Sequence, residues 1–151
     1  MQRILRIYKA EEKDALTAAR LAIQMWENNT EDGLAEEFAG IIKSPEGVVF
    51  LAEVDGESIG FAQCQLRHDY VEGTETSPVG YLEGIFIAEG FRKQGYAKKL
   101  LMACEKWAKE QGCTEFASDC ELENTESLKF HLSLGFEEVN RVICFAKKLE
   151  G

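Results

Sequence analysis

The chain is poor in residues that mark several protein classes. It has 2 prolines in 151 residues, with 45% hydrophobic and 29% charged side chains, which excludes collagenous or disordered usage and fits one globular domain spanning residues 1–151. Its 5 cysteines (Cys64, Cys104, Cys113, Cys120, Cys144) are odd in number and form no C-x-x-C pair. Neither a disulfide framework nor a zinc site is signalled, so no metal is expected and most of the thiols read as small core residues. No apolar run approaches a membrane span, and Arg3, Arg6 and Lys9 interrupt those of the N-terminus, so no secretory signal is read there. A cytoplasmic location is expected, and the sequon Asn28-Asn29-Thr30 is then a chance triplet.

Positive charge is also scarce: 17 Lys plus Arg stand against 27 Asp plus Glu, a formal net of -10. That disfavours nucleic acid and anionic membrane as partners and suits a cationic one, although acidity also simply keeps a protein soluble.

The chain has no internal repeat, low-complexity tract or linker. Alternation predicts a strand over residues 3–9, and helical spacing predicts a helix over 11–26 and another over 30–43, stopped at Ser44-Pro45-Glu46-Gly47. Residues 48–54 and 58–68 are β-rich runs separated by Asp55-Gly56, a hairpin signal. A turn-rich loop over 69–78 leads to a strand over 79–87, a long amphipathic helix over 95–111, a short strand over 115–119 and a helix over 124–134 capped by Gly135. Residues 136–139 and 141–149 read as closing strands. This order predicts an α+β fold, a mixed and mostly antiparallel sheet flanked by helices, with one parallel crossover joining the strands at Val79 and Glu115.

Between the fourth strand and the long helix runs Ala88-Glu89-Gly90-Phe91-Arg92-Lys93-Gln94-Gly95-Tyr96-Ala97. It lacks the Gly-Lys-Ser/Thr ending of a P-loop and the G-x-G-x-x-G of a dinucleotide loop. A helix start presents unpaired N–H groups, Gly95 and Ala97 admit close approach, and Arg92 and Lys93 add charge, which together suit a pyrophosphate. The alternative is a basic loop with a glycine required by a tight turn.

These residues resemble the acetyl-coenzyme A loop of the GNAT N-acetyltransferases, Arg/Gln-x-x-Gly-x-Gly/Ala, matched from Arg92 to Ala97. Asn124, Phe130-His131 and Leu134-Gly135-Phe136 match a second family mark, except that His131 stands where a Tyr is common. The resemblance spans nearly the full chain and implies the GNAT acyl-CoA fold, with acetyl-CoA contacted by Ile85, Phe86, Ile87, Arg92, Lys93, Gln94, Gly95, Tyr96, Ala97, Lys98, Asn124 and His131. The family's Tyr often acts as general acid to the leaving thiolate; His131 could do so, or only hydrogen-bond the cofactor, or be an ordinary surface histidine.

Residues 70–85 and Cys113 to Asp119 are similar to one subgroup, the aminoglycoside 6'-N-acetyltransferases, with Phe145-Ala146-Lys147-Lys148 a weaker match. The resemblance implies direct acetyl transfer to an antibiotic amine, hence resistance, with Trp26, Tyr70, Glu75 and Asp119 at positions that line the antibiotic site. Aminoglycosides are polycations, so carboxylates should surround them, and Glu75, Glu83, Asp119 and Glu121 are candidates. Glu75 and Asp119 are the candidate general bases. The plain alternatives are solvated surface charges and, for Trp26, core packing. Other acceptors, polyamines or protein amines, and a non-catalytic acyl-CoA sensor remain open. A homodimer is expected because relatives often dimerise and the C-terminal strands have edges to cover.

Overall fold

A computed structural model describes residues 3–151; Met1 and Gln2 lie outside it. The described chain forms two compact units, one ending at Asp119 and one running from Cys120 to Gly151.

The first unit is built on a five-stranded sheet in the order β1-β2-β3-β4-β5. β1 (Leu5–Lys9), β2 (Gly47–Val54), β3 (Glu57–Arg67) and β4 (Val79–Ile87) pair antiparallel, and β5 (Phe116–Ser118) pairs parallel with β4. The β2–β3 turn is Asp55-Gly56, both at positive φ (50° and 85°), the mirror-image turn that a right-twisted hairpin needs. The parallel crossover is made by α3 (Tyr96–Glu110), as the element order requires. The first expected helix is a 3-10 turn (Glu12–Asp14) followed by α1 (Ala15–Ala22), shorter than its periodicity suggests; α2 is Glu31–Lys43.

Side-chain alternation puts the two faces of the sheet to different use. Leu51, Phe61 and Phe86 meet Leu34 and Phe38 of α2 and the small residues Ala18, Ala19 and Ala22 of α1. Phe61 is fully buried, with the rings of Trp26, Phe38 and Phe86 at 5.8, 5.6 and 6.4 Å. Each such ring contributes about 1.5–3 kcal/mol by burial. The other face carries α3, which packs so closely that a Cβ on Gly80 would collide with Ala108 and Phe116; a Cβ on Gly60 would collide with Ile87 and the Phe86 carbonyl of β4 and touch Leu100 of α3.

The second unit contains α4 (Thr125–Ser133), ended by Gly135 at φ 90°. Residues 136–151 carry no regular secondary structure, which corrects the two strands expected there. A strand exists only through a ladder to a neighbour, and β-propensity at Val142, Ile143 and Phe145 cannot supply one.

Candidate active site

The β4–α3 loop turns through Gly90, Lys93 and Gly95, all at positive φ (94°, 63° and 81°). Gly95 is the N-cap of α3 and gives it no side-chain cap. The contrast with α2 and α4 is informative. There, Thr30 accepts a hydrogen bond from the Gly33 N–H at 3.0 Å and Asn124 from the Ser127 N–H at 3.1 Å, and acids occupy the first turns (Glu31, Asp32; Glu126). The first turn of α3 holds no acid and instead carries Lys98 and Lys99. Cations at the positive end of a helix dipole are unfavourable unless an anion lies between them. Apart from its own chain neighbours, nothing among the described residues lies within 4 Å of where a Gly95 Cβ would sit, so the approach is open, and the cradle fits a diphosphate.

Arg92 has a structural task besides its charge: its Nε donates to the Ile87 carbonyl at 2.8 Å and its guanidinium lies 5.6 Å from the Phe86 ring, tying the loop to the end of β4. Gln94 accepts from the Tyr96 hydroxyl at 3.1 Å.

β4 has one residue more than β3 can match: Gln63 faces Gly84 and Cys64 faces Leu82, so Glu83 is a bulge. β5 follows β4 only from Gly80 to Leu82, and among the described residues β4 then runs on to Ile87 with no neighbour on that side. The Ala88 N–H donates to the Ile59 carbonyl at 2.7 Å, and the Phe86 carbonyl lies against Gly60. Strand alternation therefore turns the backbone of Phe86 towards β3 and that of Ile85 and Ile87 towards the open side. Of the β4 residues expected to contact acetyl-CoA, Ile85 and Ile87 therefore present their N–H groups to the open side and Phe86 does not.

Of the residues expected to line an acceptor site, Trp26, Glu83 and Asp119 lie on or against β4 around the bulge. The half-buried Trp26 ring covers Gly84, where a Cβ would come within 2.7 Å of it, so Trp26 is both a core side chain and a wall beside Glu83. Asp119, exposed just past β5, accepts a hydrogen bond from the Tyr81 hydroxyl. Burial and the adjacent Asp119 push the Tyr81 phenol well above its usual value, so it stays a donor. Glu83 is not a bare carboxylate: Arg67 bonds both of its oxygens, at 2.8 and 3.0 Å, and lies 3.4 Å over the Tyr81 ring.

Glu75 is exposed, but its backbone is fixed: Glu115 accepts the N–H groups of Glu75 and Thr76 at 2.9 and 2.8 Å and the Thr76 hydroxyl, which holds the Glu115 carboxyl below its usual range. Tyr70 is 76% exposed. Arg67, Tyr81 and Glu115 escaped the sequence reading. Alternation could have placed Arg67 and Tyr81 on one face, but the bulge that brings Glu83 to them leaves no sequence signature.

In the second unit Glu121 and Cys120 are exposed, and Asn124 spends its side-chain oxygen on capping α4. His131 is half-buried between Phe130 and Phe136, with Nδ1 at 2.7 Å from the Ser127 carbonyl. A carbonyl only accepts, so Nδ1 carries the proton, and donation from the other nitrogen requires the doubly protonated ring. Among the described residues no His, Cys, Asp or Glu cluster could hold a metal, and no helix is long and apolar enough to cross a membrane.

Residues 5–136 match the acetyltransferase (GNAT) family. The aminoglycoside N(6')-acetyltransferase type 1 of Salmonella typhimurium is 44% identical over 83% of this chain and 86% of its own. The protein of the same name from Serratia marcescens is 42% identical over 90% and 92%. Among solved structures, AAC(6')-Iy in complex with the bisubstrate analog CoA-S-monomethyl-acetylneamine superposes with a TM-score of 0.92 at 39% identity, covering 97% of this chain and 99% of that one.

Proposed function

The chain belongs to the acetyltransferase (GNAT) family, and from that premise we propose that it transfers the acetyl group of acetyl-CoA to the 6'-amine of aminoglycoside antibiotics, a resistance activity. The observation that carries the reading is the 0.92 superposition on a relative holding an analog of both substrates. The family match crosses both compact units, which supports one catalytic domain.

Acetyl-CoA supplies a thioester already activated for attack. The N–H groups at the start of α3, with Lys93 and Lys98, hold its diphosphate. The Ile85 and Ile87 N–H groups on the open side of β4 take up charge developing on the carbonyl oxygen. The acceptor arrives as an ammonium ion and must lose a proton; Asp119, oriented by Tyr81, accepts it directly or through a water, and Glu75 on its Glu115-braced loop is the second candidate. In the second unit, His131 can donate a proton from its other ring nitrogen only in its doubly protonated form. Transfer is direct in a ternary complex, and Cys64, Cys104 and Cys113 are buried away from any carrier role.

The protein acts as a cytoplasmic homodimer. Supporting association, Val142, Ile143, Phe145 and Leu149 are 71%, 81%, 90% and 87% exposed, an apolar run that a second copy would cover. Acetyl-CoA consumption against an amine panel tests the activity. Thiol release is expected with tobramycin and not with spermidine or an aminoglycoside lacking the 6'-amine; equal release with spermidine would refute the acceptor assignment. Asp119→Asn and Glu75→Gln should separate the bases: the true base loses its acid limb in kcat/KM, and unchanged profiles in both would exclude them.

A further inference from the structure

We infer that Arg67 is a built-in counter-cation, occupying on Glu83 the place that an ammonium group of the acceptor takes, so that acceptor binding is an exchange of one cation for another. The inference rests on the aminoglycoside reading above and adds a specificity-determining residue to it.

The geometry is specific. Arg67 closes β3 and Glu83 is the bulge residue of β4, so the bulge, not regular pairing, turns this carboxylate towards the arginine. Two parallel N–H···O bonds at 2.8 and 3.0 Å make a bidentate pair, and the guanidinium stacks 3.4 Å over Tyr81, the same ring whose hydroxyl holds Asp119. Glu83 raises the Arg67 pKa further, so its charge is permanent. The pair is open on the arginine side: the Arg67 side chain is 43% exposed, so the guanidinium can swing out, while the Glu83 side chain is 19% exposed. A bidentate pair is stronger than an ordinary exposed ion pair, so a single ammonium competes poorly with the guanidinium.

The acceptor carries several ammonium groups, whereas Asp119 and Glu83 are the carboxylates held around Tyr81. With Arg67 in place, that cluster offers one uncompensated carboxylate to a monocation. Only an acceptor with a second ammonium at the right distance gains by displacing the guanidinium, whose flexible stem lets it move into solvent. Arg67 thus raises the threshold against acceptors of low charge, a repulsive element in specificity.

Arg67→Met keeps the stem and removes the charge. KM for tobramycin should fall by about tenfold, with kcat unchanged or lower, and acceptors with fewer ammonium groups should gain proportionately more. In a Glu83→Gln background the same change should leave KM unmoved. A rise in KM or an unchanged KM while Glu83 is intact, or an equal fall in KM when Glu83 is already Gln, would overturn the exchange and leave Arg67 as a structural strap. The wild-type protein supplies a test independent of any variant: in an arginine Nε–Hε NMR titration, the Arg67 signal should shift on saturation with tobramycin, and an unperturbed signal would also overturn it. Failure of the wild type to acetylate any aminoglycoside would instead sink the functional reading itself.

Discussion

Gly84→Ala is the most informative single perturbation of this protein. The new methyl would lie 2.7 and 2.8 Å from two carbons of the Trp26 ring and 3.6 Å from Met25. Real Cβ contacts are not that short, so the indole must move. It has little freedom, because it is stacked on Phe38 (ring centroids 6.5 Å apart) and meets Phe61 edge-on at 5.8 Å. Overpacking of this kind costs about 1–3 kcal/mol. Replacing a strand glycine returns about 0.5–1 kcal/mol of backbone entropy. The net loss is about 0–2.5 kcal/mol with a midpoint of about 1 kcal/mol, the midpoint equivalent to a fall of roughly 2–4 °C in Tm for a chain of this size. Thermal melts monitored by tryptophan emission measure it directly. Because Trp26 walls the bulge that holds Glu83, KM for the acceptor should rise while KM for acetyl-CoA stays constant. The control is Trp26→Leu, which removes the colliding atoms: in that background Gly84→Ala should be neutral or stabilising. The collision argument is refuted if Gly84→Ala leaves Tm unchanged, or if its cost is the same with and without the indole.

Gly95→Ala has room for its methyl but must hold φ 81°, so it should cost about 1 kcal/mol and raise KM for acetyl-CoA several-fold, with the acceptor KM unaffected. Glu115 has its pKa lowered from its usual value by Thr76 and the backbone of Glu75, so its contribution is present above the usual carboxylate range and lost as pH falls through the lowered value; the protection of the Glu75 and Thr76 amides, as exchange relative to the free-peptide rate at the same pH, should fall on acidification there, and in Glu115→Gln it should already be low at neutral pH. A thiol reagent should modify Cys120 and Cys144 rapidly in the folded protein and the other cysteines only on unfolding, because Cys64, Cys104 and Cys113 are buried and the Cys64 contact together with burial pushes the Cys104 thiol well up.

The amino-acid sequence by itself determined the elements that rest on local signals. Asp55-Gly56 marked its hairpin because few residues tolerate two successive positive φ values, and the strand-loop-helix with Gly95 marked the diphosphate cradle because a bare helix start is a local device. The antiparallel strands and the single parallel crossover followed from element order alone. Tertiary structure decided what depends on register. One extra residue in β4 makes Glu83 a bulge, hands it to Arg67 and exposes the backbone of Ile87 while hiding that of Phe86, and no periodicity announces it. Tyr81 reaches Asp119 only because β4 and β5 are neighbours, and Glu115 reaches the Glu75 loop across 40 residues of sequence. The closing strands were misread for the same reason: strand propensity is local, but a strand exists only where another strand's hydrogen bonds complete it.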